Sequence, residues 1–138
     1  MTSYIDPGRD QFEAFKSLPR DEPINMLNLI QLSETARYPD GETCTGREAY
    51  QRYGESSQPV FSRVGGTIVW RGEPQLVLIG PTDEQWDLAF IARYPNAAAF
   101  LEMVTDAEYQ AAVIHRQAAV ASSRLIRLAD ALSGPQFG

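Results

Sequence analysis

Residues 86–128, WDLAFIARYPNAAAFLEMVTDAEYQAAVIHRQAAVASSRLIRL, read as a strand, a capped helix, a second capped helix and a strand in unbroken order. In residues 86–94 the side chains of Trp86, Leu88, Phe90, Ala92 and Tyr94 share one side of an extended chain, because successive residues of a strand point to opposite faces. Pro95 and Asn96 open a short helix, where proline is tolerated and an Asn side chain can accept an orphan amide, with Phe100, Met103 and Val104 as its buried side. Asp106 caps the next helix, on which Tyr109, Ala112, Val113, Arg116 and Val120 recur at steps of three and four. Ser122 and Ser123 are expected to end it, leaving RLIRL as the last strand.

Upstream, the chain repeats this plan. INMLNLIQL, Ile24–Leu32, is almost continuously apolar, which suits a strand covered on both faces. ETARYPDGETCTG reads as a polar loop around a Pro-Asp-Gly turn, and Thr45 followed by Glu48 is the capping-box spacing that starts a helix. Along that helix Tyr50, Tyr53, Ser57, Val60 or Phe61 and Val64 form one stripe, and Pro59 predicts a bend or division near Ser56. Gly65 and Gly66 end it, and residues 67–70 and 76–79 are expected as two strand pieces separated by Gly72, Glu73 and Pro74. At the start, Phe12, Phe15 and Leu18 in residues 7–18 predict a short helix stopped by Pro19. Two β-α-β units with antiparallel pairing give the α+β, ferredoxin-like split βαβ plan with a four-stranded antiparallel sheet. The expected organisation is a single domain over 1–138: a helical appendage (1–22), the core (23–130) and a tail (131–138).

A chain of 138 residues, 43% hydrophobic and 22% charged, has ordinary globular composition. A chain this long can bury roughly 70% of the surface its unfolded form exposes. The net charge of −6 argues against a nucleic-acid groove, which would show a basic patch. Cys44 stands alone, so no internal disulfide forms and a reducing cytoplasm is the expected compartment. No apolar run approaches ~18 residues, and the N-terminus lacks a charged-then-apolar leader, so no membrane span or secretion signal is read.

The run YPNAAAFLEMVTDAEYQAAVIHRQAAVASSRLI closely resembles domain-of-unknown-function family 1330 (DUF1330), small proteins of the dimeric α/β barrel superfamily. MLNL, YPDGE, TGREAYQRYG, VGGTIVWRGEP, LVLIGP and WD are similar to the same family, extending the resemblance over about residues 24–128. It implies a ferredoxin-like protomer whose sheet packs face to face with a second copy, and it implies no established activity. A homodimer also follows from the residues alone. The sheet side turned away from the helices is apolar in Ile24–Leu32 and again in residues 88–91, and a large apolar patch is rarely left in water.

His115, the only histidine, falls beside the inward stripe of its helix and is a candidate base. With no second His or Cys at ligand spacing, a protein metal site is not expected, and nothing calls for a cofactor. Arg116 lies on the stripe itself and needs a partner, either a carboxylate such as Asp87 or an anionic group of a ligand held bidentately. Asn28 is a polar amide on an apolar strand, expected to bond across the ladder or to the first crossover helix, or else to touch a ligand. Trp70, Trp86 and Tyr94 offer flat walls that suit an apolar or aromatic ligand or a plain core, with Tyr50 and Tyr53 as the polar end of such a pocket and Tyr109, on the stripe of Arg116, as a further ligand contact. Asp83, Glu84 and Asp87 read as solvated turn acids, and no glycine pattern of a phosphate loop is present.

Three functions compete. The first is a dimer that binds a small apolar or aromatic compound, or turns it over without a metal. The resemblance supplies the second, a haem-handling oxygenase with Asn28, Trp86 and His115 as counterparts of the residues such enzymes use, although the spacing of His115 departs from that pattern. The third is a structural or regulatory dimer without a small ligand.

Overall fold

The computed structural model describes residues 3–138. Helix α1 (Arg9–Ser17) precedes β1 (Ile24–Leu32), a short hairpin of β2 (Thr35–Arg37) and β3 (Thr43–Thr45), and helix α2 (Gly46–Arg63). Then follow β4 (Thr67–Gly72), β5 (Leu88–Tyr94), α3 (Ala97–Thr105), α4 (Ala107–Ala119) and β6 (Val120–Leu128). The main sheet has the order β4-β5-β1-β6, antiparallel throughout, with α2 and the α3–α4 pair as the two crossovers. This is the ferredoxin-like arrangement expected of the doubled β-α-β pattern.

The caps read in the sequence form as expected. Thr45 accepts the Glu48 amide at 3.0 Å, the Asn96 side chain accepts the Ala99 amide at 2.8 Å, and Asp106 accepts the Glu108 amide at 2.8 Å while pairing with Arg63 at 2.8 Å. At the other end of α2, Gly66 N–H donates to the Phe61 carbonyl and Gly65 N–H to the Ser62 carbonyl. That double closure needs a left-handed residue, and Gly65 supplies it at φ 89°.

Four expectations change. The 33–45 stretch is a hairpin rather than a plain loop, because Thr35, Thr43 and Thr45 flank the turn with β-branched side chains that suit a paired strand. Helix α2 runs unbroken through Pro59: the buried Ser57 and Val60 anchor it on either side of the lost hydrogen bond. Strand β6 starts at Val120, so the two serines lie in the sheet and not at a helix end. Residues 76–79 are not a strand: β4 ends at Gly72, and the chain leaves the sheet until β5.

Register assigns the two sides of the sheet. Ile24, Met26, Asn28 and Ile30 of β1, with Ala92 and Tyr94 of β5, face the helices, and Ile24 and Ile30 have essentially no solvent contact. The alternate residues Leu27, Leu29, Ile91 and Ile126 occupy the opposite side, on which no helix of the protomer lies. At one flank β4 carries a bulge between Ile68 and Trp70. At the other, the N-terminal segment runs beside β6, where Ser122 Oγ accepts the Tyr4 amide at 3.2 Å and Ser123 Oγ donates to the Tyr4 carbonyl at 2.8 Å. Helix α1 buries no residue fully, yet Phe15 stacks on Phe100 at 5.1 Å and Arg127 donates to the carbonyls of Phe15 and Pro19.

Candidate functional site

The layer between helices and sheet gathers phenols. Tyr50 and Tyr53 are three residues apart on α2, and Tyr109 and Arg116 are two turns apart on α4, so each pair lies on one side of its helix. The Tyr53 and Tyr109 hydroxyls meet at 2.8 Å, and the Tyr50 ring packs on Tyr53 with centroids 5.4 Å apart. From the sheet, Phe90 stands opposite Asn28 in register, and the Arg71 guanidinium lies 5.9 Å from the Phe90 ring centre.

Burial pushes the Tyr50 phenol up to about 12, against the pull of the Arg116 and Arg71 charges. Burial, reinforced by the Tyr109 phenol, holds Tyr53 well above the ordinary tyrosine value. These phenols are therefore protonated donors at neutral pH. Every fully enclosed side-chain nitrogen or oxygen among the described residues has a partner. Among the described residues the Tyr50 hydroxyl has no side-chain partner, unlike those of Tyr53 and Tyr109.

Arg116 donates to the Ile5 carbonyl and, at 3.3 Å, to Ser123 Oγ; no carboxylate pairs with it among the described residues. The expected Asp87 partner is engaged elsewhere. Its carboxylate accepts the Leu32 amide at 2.7 Å, and its own amide donates to the Ile30 carbonyl, because the chain entering β5 folds back on the end of β1. Asn28 donates to the Met26 carbonyl of its own strand at 3.1 Å, rather than across the ladder or to α2.

The other sequence candidates separate. His115 points away from the phenols and meets the Tyr38 hydroxyl at 2.7 Å through Nδ1, joining α4 to the β2–β3 hairpin. Tyr94 belongs to the aromatic core, edge-on to Phe61 and Phe100. Trp70 lies on the side without helices, opposite Ile91, with its indole over Gly72, where a Cβ would come within 2.5 Å of the ring. Trp86 precedes β5 instead of sharing its helix-facing side. It lines a cleft of about 110 Å³ with Gln31, Glu84 and Arg124, and the Arg124 guanidinium is held between the Tyr4 and Trp86 rings and paired with Glu84 at 2.8 Å. Trp70, Trp86 and Tyr94 thus form no common wall. Asn28, Trp86 and His115 do not converge either, so the residues named for haem offer no single place to hold it.

Sequence reading missed Arg71 at the phenol layer and Tyr38 as the partner of His115. Arg71 carries a weak signal, since β4 alternates and sets it on the side of Ile68 once the bulge is counted. Tyr38 carries none, being 77 residues from His115. Among the described residues no three His, Cys, Asp or Glu side chains gather as metal ligands, and no helix is long and apolar enough to cross a membrane.

Comparison with known proteins agrees with this fold. The methylated RPA0582 protein is 53% identical and superposes with a TM-score of 0.94 over 98% of this chain and 100% of its own. A second structure of RPA0582, described as a protein of unknown function from Rhodopseudomonas palustris, is 53% identical with a TM-score of 0.91, covering 96% of this chain and 100% of its own. SnoaB, a cofactor-independent oxygenase from Streptomyces nogalater, is 13% identical with a TM-score of 0.53, covering 83% and 99%, a likeness of fold alone. No curated protein matches the chain. The model of the family described as Domain of unknown function (DUF1330) matches residues 42–128, and the chain belongs to that family.

Proposed function

We propose that the protein is a homodimer that binds a small apolar or aromatic compound carrying an acceptor or anionic group, or turns it over without a metal. The carrying observation is Arg116, a guanidinium between helices and sheet held only by neutral oxygens, beside a Tyr50 hydroxyl free of other side chains. A cation without a counter-charge favours an anionic guest over further burial alone. Tyr50, Tyr53, Tyr109 and Phe90 supply the flat surfaces and phenolic donors around it. The fold is shared with a cofactor-independent oxygenase, which is consistent with chemistry run by such side chains. A net charge of −6 and a lone Cys44 fit a cytoplasmic protein that does not engage nucleic acid. The dimer is argued from Trp70 and Ile126, 53% and 44% exposed beside the partly buried Leu27, Leu29 and Ile91 on the side of the sheet without helices.

The test is thermal denaturation with a series of aromatic carboxylates and their uncharged analogues. A ligand at a hundred times its Kd stabilises by about 2.7 kcal/mol. Carboxylates should raise the Tm, Tyr50→Phe and Arg116→Met should abolish the rise, and Trp70→Ala should leave it unchanged. No stabilising compound, or a rise that survives both substitutions, overturns the reading.

A further inference from the structure

Between β4 and β5 the chain forms an arm, GEPQLVLIGP over 72–81, with one charged residue, Glu73. Beyond Gly72, the last residue of β4, it pairs with no strand and bends at 78–80, and Leu76, Leu78 and Ile79 are 80%, 85% and 93% exposed. An uncharged LVLI run of high strand propensity, left in water, is an association hazard. The turn residues Gly72 and Pro74 on one side and Gly80 and Pro81 on the other delimit it.

We infer that this arm is a clasp, and that Leu76, Leu78 and Ile79 of each protomer lie on a second copy of the chain. The inference rests on the homodimer reading above and adds to it. Area is the first argument. Four strands about 4.8 Å apart, paired over about seven residues of 3.3 Å, present roughly 440 Å² of sheet. A stable interface buries about 800 Å² per partner. Even with the corrugation of its side chains added, a footprint of that size falls short of that area. Each aliphatic side chain of the arm removes roughly 60–120 Å² from water, so the arm provides most of the rest. Reach is the second argument. Fully extended, seven residues out and seven back would reach at most about 23 Å, so the ~10 Å between stacked sheets lies within their range.

Charge identifies the occupant as a second copy. The charges on the sheet side without helices are already neutralised within the protomer, Arg93 by Asp130 at 2.7 Å and Arg124 by Glu84 at 2.8 Å. Covering that side leaves no ion unpaired, and the uncharged arm meets a surface as neutral as itself. A two-fold axis applies both arms at once, each to the other protomer.

Sedimentation equilibrium and hydrogen exchange on the full chain test the clasp. Wild type should be dimeric at micromolar concentration, with amides 75–79 protected and losing that protection on dilution. Leu78→Ser with Ile79→Ser, at positions the protomer does not bury, should weaken dimerisation at least 100-fold. Dimerisation unchanged in that variant, with amides 75–79 exchanging freely in the wild-type dimer, overturns the clasp and leaves the sheet pairing standing. Leu29→Asp still dimerising as wild type, with the arm protected, overturns the sheet pairing and keeps the clasp. A wild-type monomer at 100 µM overturns both.

Discussion

The two sides of the sheet are made from alternate residues of the same strands, yet they differ in almost every physical respect. On the helix side, Ile24, Met26, Ile30 and Ala92 are shut from water, and the polar groups beside them include the phenols, the Asn28 amide and the Arg116 and Arg71 guanidiniums, neither with a carboxylate partner among the described residues. The opposite side keeps Trp70 and Ile126 53% and 44% exposed, and Arg93 and Arg124 on it each have a carboxylate. The difference teaches where each side finds its cover. Where the chain covers its own sheet, Arg116 is left without a carboxylate among the described residues. On the side without helices Arg93 and Arg124 are paired within the protomer, so a surface laid on it would strand no charge.

The sharpest way to break this contrast is to delete one side chain from each side. Ile30→Ala should cost the dilute protomer about 2–5 kcal/mol in urea unfolding and leave the strength of association unchanged. Leu29→Ala, its neighbour in sequence, should cost the dilute protomer no more than about 1.5 kcal/mol and appear mainly as weaker association. Equal losses would mean that the two sides are equivalent.

Alkaline titration separates them next. Tyr50 and Tyr53 bind their protons more tightly folded than unfolded, so stability is full below pH 10 and falls as pH rises towards 12 and beyond. Absorbance of tyrosinate should show Tyr50 and Tyr53 ionising only with unfolding. A single early transition for all six tyrosines would contradict the burial of that layer.

Asp106→Ala removes the cap of α4 and the partner of Arg63, and should cost about 1 kcal/mol without altering dimerisation. The smallest effect belongs to the open side in acid. Asp130 accepts from Arg93 and Asn25, which hold its carboxyl at about 2, so this stabilisation is present above about pH 4 and disappears as pH falls through 2. Asp130→Asn should flatten that acid limb slightly and leave the alkaline one untouched.

Legibility in the sequence follows the range of each interaction. Local chemistry was readable: Thr45 with Glu48, Asn96 with Ala99 and the Gly65–Gly66 stop involve neighbours within five residues, and each forms where its motif lies. The strand order followed from the doubled pattern. Partners distant in sequence were not readable. Arg116 has to find Ile5, 111 residues away, and His115 finds Tyr38, and neither pairing leaves a periodic trace. Trp86 was assigned to the wrong side because alternation was carried two residues beyond the true start of β5 at Leu88. The phenol layer itself was half visible: Tyr50, Tyr53 and Tyr109 follow from helical spacing, whereas Arg71 emerges only after the β4 bulge reverses the alternation.

The serine-held segment beside β6 and the bulge in β4 together decide how far molecules can stack. Tyr4 plugs one margin with side-chain bonds in place of a ladder, and the kink at the other spoils a straight line of donors and acceptors. Lacking two matching margins, copies have no continuous edge on which to add end upon end, which blocks growth into a fibre.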